Sequence, residues 1–352
     1  MKQILAFPTF ITVVLMLSAG MNFYILARLG GFFKIQKGVL FWAVFCICTV
    51  SLIGGTMLQS LSGNIISRIV YIVCAGWLGV MWLFFCSLIF YEILRFFIKV
   101  EPAAAGITIL VVVGIVTIYS VVNAQLVRVK SLRFKGGTDI DIVQISDIHL
   151  GSVSGGFLER IIEKTNGLEP DFVVITGDLV DNHNRKTQEA IVLLGRLKAP
   201  AFFVTGNHEG YVGVERVLES LSKTKVRVLR DEAVDLGGIQ VIGIEDSFDR
   251  GRAAKVLEQV RPDRSKYSVL LYHRPEGVEA VSAAGVDLML CGHLHGGQIW
   301  PFNYVVRLVH KYMKGLYNHN GTHLYVTSGT GTWGPRMRLG SRSEITLVQI
   351  RK

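Results

Sequence analysis

Four apolar runs, Ile4–Ala27, Val39–Leu58, Ile69–Tyr91 and Gly106–Val122, fill the first third of this 352-residue chain, and none contains a charged residue. Each is near the ~20 residues that carry a helix across the hydrocarbon core of a bilayer. A run of that kind has one solution in lipid, the helix, because every backbone N–H and C=O must be paired within the segment. A cleaved secretory leader is a single short apolar run, so four of them describe a multi-pass, all-α transmembrane domain. We place it at residues 1–127, with spans at about 4–27, 39–58, 69–91 and 106–126. Transporters and proton relays normally carry ionisable groups inside their spans. These runs carry none and read as an anchor, with Ala75, Gly76 and Gly79 small enough for close helix approach.

Charge follows the same division. Up to Lys135 there are 11 Lys/Arg against 2 Asp/Glu and no histidine; from Gly136 onward the count is 26 against 25. The net charge of +10 therefore sits almost wholly in segments flanking the spans, where basic residues set topology and meet lipid headgroups. The remainder has no basic stripe for a phosphate backbone, which argues against a nucleic-acid partner. Cys46, Cys48, Cys74 and Cys86 fall in the spans and Cys291 alone lies beyond them, so no disulfide is expected there. The loops after spans one and three hold Arg28, Lys34, Lys37, Arg95 and Lys99, against Lys2 and Arg68 on the other side. The positive-inside rule then expects a cell-membrane protein whose C-terminal domain is extracytoplasmic. Arg128, Lys130, Arg133 and Lys135, directly after span four, count the other way.

Residues 128–138 read as a short basic linker, and residues 139–352 as one domain. Strands are expected at Ile140–Ile145, Phe172–Thr176, Ala201–Thr205, Ile239–Ile244, Val269–Tyr272, Leu288–Cys291, Leu324–Thr327 and Ile345–Ile350. Helices are expected between them at Phe157–Asn166, Gln188–Leu197, Val214–Leu221, Ala253–Gln259 and Gly277–Ala284. Such alternation argues for an α/β domain.

The chemistry-bearing residues stand at the ends of these strands. In Cys291-Gly292-His293-Leu294-His295-Gly296-Gly297-Gln298, two imidazoles at i and i+2 project to the same side of an extended chain. Asp147-Ile148-His149, Gly177–Asp181, Gly206–Glu209 and Tyr272-His273-Arg274-Pro275 follow apolar runs in the same way. Together they supply carboxylates (Asp147, Asp178), an amide oxygen (Asn207) and imidazoles (His149, His273, His293, His295). That mixed set is too large for one tetrahedral zinc and lacks thiolates. It suits two divalent ions, Mn, Fe or Zn, which can bind a phosphate ester and acidify a bridging water.

In order along the chain, D-x-H, G-D-x-x-D, G-N-H-E, H and G-H-x-H resemble the motif set of the calcineurin-like metallophosphoesterase superfamily, over roughly Asp139–Ile350. G-H-L-H-G-G-Q-I, then Trp300-Pro301-Phe302, Tyr325–Gly331 and Arg338, are similar to its YkuE/YaeI-like branch. Here the domain follows four spans, where many relatives have a single N-terminal segment. The resemblance implies an α/β fold of two sheets in a sandwich flanked by helices, with metals at strand C-terminal ends. It implies Asp147, His149 and His295 at one ion, Asn207, His273 and His293 at the other, and Asp178 bridging them. A metal-bridging hydroxide would be the nucleophile, His208 would serve the transition-state oxygen or leaving group, and Asp181 and Glu209 would orient ligands or His208. The implied activity is metal-dependent hydrolysis of a phosphoester or pyrophosphate bond, with a lipid-linked or membrane-proximal substrate expected from the anchor. The alternative is a binding scaffold that keeps the fold without turnover; scaffolds of that kind usually lose ligands or the motif histidine, and all are present here. His183, His310, His319 and His323 lie outside the motifs and are expected to be structural.

One further segment stands out. Over Asn303–Lys314, Val305, Leu308, Val309 and Tyr312 share one helical face and Arg307, His310, Lys311 and Lys314 the opposite one. This expected amphipathic helix either packs on its own domain or meets membrane lipids and substrate through Arg307, Lys311 and Lys314.

Overall fold

The computed structural model describes residues Lys2–Lys352, with side chains from residue 12 onward. The chain divides into two compact units. The first, residues 1–122 with Gly334–Met337, holds helices α1 (Lys2–Phe32), α2 (Val39–Ser62), α3 (Ile65–Leu94) and most of α4 (Pro102–Gln125). All four are long and apolar enough to cross a membrane, α1 by its stretch Thr12–Phe32; the side chains of residues 4–11 in the expected first span lie outside the described part. Gly63, at φ 57°, ends α2, and the Asn64 side chain caps α3 by accepting from Ser67 N at 2.8 Å. The helices outrun the expected spans far enough to include Arg28 and Glu92, which pair with each other, and Glu92 also meets Arg95 at 3.1 Å. Gly55 of α2 lies close against Cys74 and Tyr71 of α3; of the small residues expected to allow close approach on α3, Ala75 and Gly79 are buried and Gly76 faces open space.

The second unit, residues 123–333 and 338–352, is the α/β domain. Its first half runs β1 (Arg128–Lys135), β2 (Ile140–Ile145), α5 (Gly155–Asn166), β3 (Phe172–Thr176), α6 (Arg185–Val192), β4 (Ala201–Val204), α7 (Asn207–Val212), α8 (Val214–Leu221) and β5 (Val226–Val228). The second half runs β6 (Glu232–Asp235), β7 (Ile239–Gly243), α9 (Arg252–Val260), β8 (Tyr267–Leu271), α10 (Val278–Ala283), β9 (Leu288–Cys291), α11 (Phe302–Val309), β10 (Gly315–His319), β11 (Thr322–Val326) and β12 (Glu344–Arg351). Two six-stranded mixed sheets result, in the orders β1-β12-β2-β3-β4-β5 and β10-β11-β9-β8-β7-β6.

Period-two alternation sorts the core into layers. Ile142, Phe172, Val174, Phe202 and Val204 of one sheet face Val241, Val269, Leu271, Leu288 and Leu290 of the other. Val143, Ile145, Val173, Ile175 and Phe203 turn the other way, under Leu158 and Ile161 of α5, Ile191 of α6 and Val217 and Leu221 of α8. Ile242, Leu270 and Met289 lie under Val256 and Leu257 of α9 and Val278 and Val281 of α10. Strands buried on both faces read as continuous apolar runs, which is why β2, β3, β4, β8 and β9 stand out in the sequence.

Two expected segments fold differently. Arg128–Lys135 is no linker: it is edge strand β1, parallel to β12, with Phe134 buried and its basic residues turned mostly outward. The amphipathic helix expected to run as far as Lys314 stops at Val309, because His310 is extended (φ −118°, ψ 121°). The chain then doubles back to bury Met313 and lay the Lys314 ammonium on Gly340 O at 2.8 Å.

Candidate metal centre

The ligand candidates lie just past the C-terminal ends of β2, β3, β4, β8 and β9. β2–β4 are mutually parallel in one sheet, and β8 and β9 in the other. Asp147, His149, Asp178, His293 and His295 all take left-handed backbone, with φ between 50° and 78°. Residues other than glycine adopt that region at a cost, and it persists where surrounding structure enforces it, typically at functional sites. The enforcing contacts are visible. His293 N donates to Asp147 Oδ1 at 2.9 Å, and His208 N to Asp178 Oδ1 at 2.9 Å. Glu209, fully buried, accepts from Asp178 N (3.0 Å), Leu179 N (2.8 Å), Val180 N (3.2 Å) and Gly206 N (2.7 Å). Gly206 and Gly292 press so closely on Asp178 and Asp147 that a Cβ at either would strike the carboxylate.

The side chains converge as two neighbouring groups. In the first, His149 Nε2 lies 3.0 Å from His295 Nε2, and His295 Nε2 lies 3.5 Å from Asp147 Oδ1. In the second, Asp178 Oδ2 lies 3.1 Å from His273 Nε2, whose ring is 3.2 Å from His293 Nδ1. Asp178 Oδ2 is also 3.8 Å from His149 Nε2, so this carboxylate stands between the groups. Each triad, Asp147/His149/His295 and Asp178/His273/His293, offers ligand atoms within 4.8 Å of one another. Asn207 opens α7 between Gly206 and His208, both of which touch Asp178.

The residues fit metal ions on several counts. Asp147 Oδ2 and Asn207 Oδ1 are buried and accept no hydrogen bond from any described residue, which is costly for a polar oxygen unless a cation meets it. Imidazole nitrogens 3.0–3.2 Å apart have the crowding expected where ions draw them together. Burial, reinforced by His273 beside one and His149 and Arg338 beside the other, holds His293 and His295 well below the usual histidine range, in the neutral form that ligates. His273 goes the opposite way: burial works against its charge, but Asp178 and Asp147 push it up to about 10, a proton standing where a cation would serve. For Asp178 too, burial alone would raise the pKa; the charge and hydrogen bond of His273 bring it well below the usual carboxylate range.

A third cluster flanks these groups. Asp181 Oδ1 is shared between His149 Nδ1 at 2.7 Å and His208 Nδ1 at 2.9 Å, while Ser152 Oγ donates to its other oxygen. Burial would raise Asp181, yet the two imidazoles hold it below its ordinary value as a carboxylate. Burial would lower His208; the Asp181 hydrogen bond and the charges of Asp178, Asp181 and Glu209 carry it up to about 9. One carboxylate thus joins a ligand candidate to the candidate acid.

Several neighbours have no role at the site assigned from the sequence, Arg338 entering only through the branch resemblance. Arg338, completely buried, donates to Gly331 O (2.6 Å), Gly329 O (3.2 Å) and His295 O (3.2 Å), fastening the His295 turn from behind. Tyr211 and Trp333 present exposed rings 5.3 and 6.1 Å from the His208 ring. His310, expected to be structural, lies 6.1 Å ring to ring from His293. Adjacency to His273 could have flagged Arg274, but its guanidinium is committed to Asp246 at 2.6 and 3.0 Å. His183 bonds Ser220 at 2.9 Å, and the His323 ring lies tilted against Phe134, 5.0 Å between centroids. Of the residues expected at the membrane or substrate, Arg307 is exposed on α11, Lys311 faces Glu279 at 3.8 Å, and Lys314 is half-buried on Gly340.

Comparison with known proteins agrees with this geometry. The calcineurin-like phosphoesterase family model matches residues 140–297, which contain all seven ligand candidates. An uncharacterized metallophosphoesterase of Campylobacter jejuni is 38% identical over 256 residues, 69% of this chain and 68% of the relative. One from Aquifex aeolicus is 34% identical, covering 66% of this chain and 95% of its own. A transmembrane protein with metallophosphoesterase domain from Bos taurus is 33% identical over 71% of this chain and 62% of its own length. Identity at that level, with the family match over residues 140–297, has one reading: the chain belongs to the calcineurin-like metallophosphoesterases and is a metal-dependent phosphoesterase behind four candidate membrane spans.

Proposed function

We propose that the enzyme binds two divalent ions, Mn, Fe or Zn, and hydrolyses a phosphoester or phosphoanhydride bond in a lipid-linked or membrane-proximal substrate. The observation that carries this reading is that Asp178 belongs to one triad of ligand atoms and lies 3.8 Å from His149 of the other, with oxygens of Asp147 and Asn207 buried nearby that accept no hydrogen bond from any described residue. Asp147, His149 and His295 would hold one ion, Asn207, His273 and His293 the other, and Asp178 would serve both. When bound, such ions supply Lewis acidity toward the phosphoryl oxygens and an acidified water as nucleophile.

The chain's own residues do the rest. Asp181 fixes Nδ1 of His208 as a donor, which leaves Nε2 to give a proton or hydrogen bond to the phosphoryl oxygen or leaving group. The Asp181 hydrogen bond and the neighbouring carboxylates push it up to about 9, which suits His208 to that role. Glu209 and Arg338 hold the turns that aim Asp178 and His295. The deciding experiment is an activity screen of the purified chain with Mn²⁺, comparing generic phosphodiesters, nucleotides and lipid-linked diphosphates. Hydrolysis should vanish with a chelator and return with metal. Preferred turnover of free nucleotides would overturn the membrane-proximal substrate, and the absence of metal-dependent turnover on any phosphoester would overturn the whole reading.

A further inference from the structure

We infer that α11 and the residue pair before it form an interfacial prong, which dips into a bilayer carrying anionic lipid beside the metal centre. The helix buries none of its residues. Leu308 and Val309 are 86% and 73% exposed, Trp300 and Tyr304 50% and 57%, with Phe302 and Val305 also open. A short helix that turned an apolar face to water over its full length would be a liability in a soluble domain. Sequence alone balanced that face with a four-residue basic one; in the folded chain His310, Lys311 and Lys314 have left the helix, so α11 is more apolar than its pattern suggested. Arg307 remains on it, exposed, with Lys311 just beyond, an arrangement that complements headgroup phosphates above an apolar wedge.

The placement of the prong within its own unit points to the same occupant. One loop, Arg338–Ser343, holds both its foot and the point where the chain enters the domain. Trp300 N donates to Leu339 O at 2.8 Å, and Lys314 Nζ to Gly340 O at 2.8 Å. From the same loop, Arg338 O and Ser341 O accept from Asn123 Nδ2 at 2.9 and 3.0 Å, and Ser343 Oγ donates to Ala124 O at 3.1 Å. Asn123 and Ala124 are the last turn of α4, a helix apolar enough to span a membrane. The exposed apolar residues therefore rise from the loop that receives the chain from the fourth span, a few positions after His293 and His295.

The inference deepens the proposed membrane-proximal reading, and its test is independent of turnover. The full chain would carry benzoylphenylalanine at Leu308, or as a control at Val192, an exposed residue at the end of α6. Each form is reconstituted into vesicles of phosphatidylcholine with phosphatidylglycerol, irradiated, and analysed by mass spectrometry. Lipid adducts should form at position 308 at least tenfold more than at 192, and should fall severalfold when Arg307→Gln is added or phosphatidylglycerol is left out. Adducts to a second copy of the chain would overturn the inference in favour of a protein interface. Equal lipid labelling at both positions, or none at 308, would also overturn it. Lipid adducts at 308 alongside a screen favouring free nucleotides would leave the prong standing and defeat only the proposed substrate class.

Discussion

Asp178 is fixed by the hydrogen bond it accepts from His208 N, by Glu209 on its own N–H, and by His273 across the cleft, so little at this position can relax after substitution. Asp178→Ala should lose bound metal and turnover together, whereas His208→Ala should retain metal and lose rate by ~10²–10⁴-fold, as removal of a general acid does. Metal analysis beside kinetics separates the two; an Asp178→Ala protein with full metal and normal turnover would sink the assignment. Arg338 makes a different claim. Among the ligand candidates it meets only His295, at the backbone O (3.2 Å) and the ring Nδ1 (3.5 Å), and burial lowers its pKa only to about 10, leaving it a cation. Arg338→Met should therefore lower metal affinity by roughly 10–100-fold, in line with other outer contacts of metal ligands, with partial recovery in Arg338→Lys. Loss of stability with unchanged metal affinity would mark Arg338 as structural only. The ligand candidates were legible because coordination restricts residue type and strand ends restrict spacing. Trp333 and His310 were not, since what brings them to His208 and His293 is tertiary contact between separate turns, whereas Tyr211 stands by His208 as its i+3 neighbour on α7, a spacing that could have flagged it.

At the level of elements, legibility followed burial. Strands covered on both faces, such as β3 with every residue buried, announce themselves as apolar runs. Strand β1 did not, because an edge is protected by charge and Arg128, Lys130, Arg133 and Lys135 masked the alternation around Leu132 and Phe134. Strands β5, β6 and β10 lie at sheet edges and bury only Val226 among them, so no apolar run marks them, and α11 ended early because tertiary demands on Met313 and Lys314 outweighed helical periodicity. If β1 is an integral strand, Phe134→Ala should destabilise the catalytic domain by about 3–5 kcal/mol, the usual cost of emptying a buried aromatic site. Val129→Ala, on the open face of the same strand, should cost little. Denaturant midpoints for loss of protease resistance would compare them, and equal small effects would return this segment to the status of a tether.

For the whole molecule, the side of the membrane turns on how four basic residues are counted. Arg28, Lys34, Lys37, Arg95 and Lys99 follow spans one and three, and Arg68 with Lys2 stands opposite; the side chain of Lys2 lies outside the described part. Arg128, Lys130, Arg133 and Lys135 would reverse that bias if they formed a juxtamembrane loop. They lie instead along β1, hydrogen-bonded in register with β12 from Arg128 to Lys135, as part of a domain of some two hundred residues. The positive-inside rule is counted over short loops, and large domains cross largely regardless of their charge. Removing β1 from the count leaves the bias with the first set, which favours an extracytoplasmic catalytic domain. Protease added to intact spheroplasts producing the chain should then digest or release that domain while a cytoplasmic marker survives. Full protection of the catalytic domain until the membrane is permeabilised would reverse the orientation, and would mean that β1 still counts as a juxtamembrane charge cluster during insertion, before it folds.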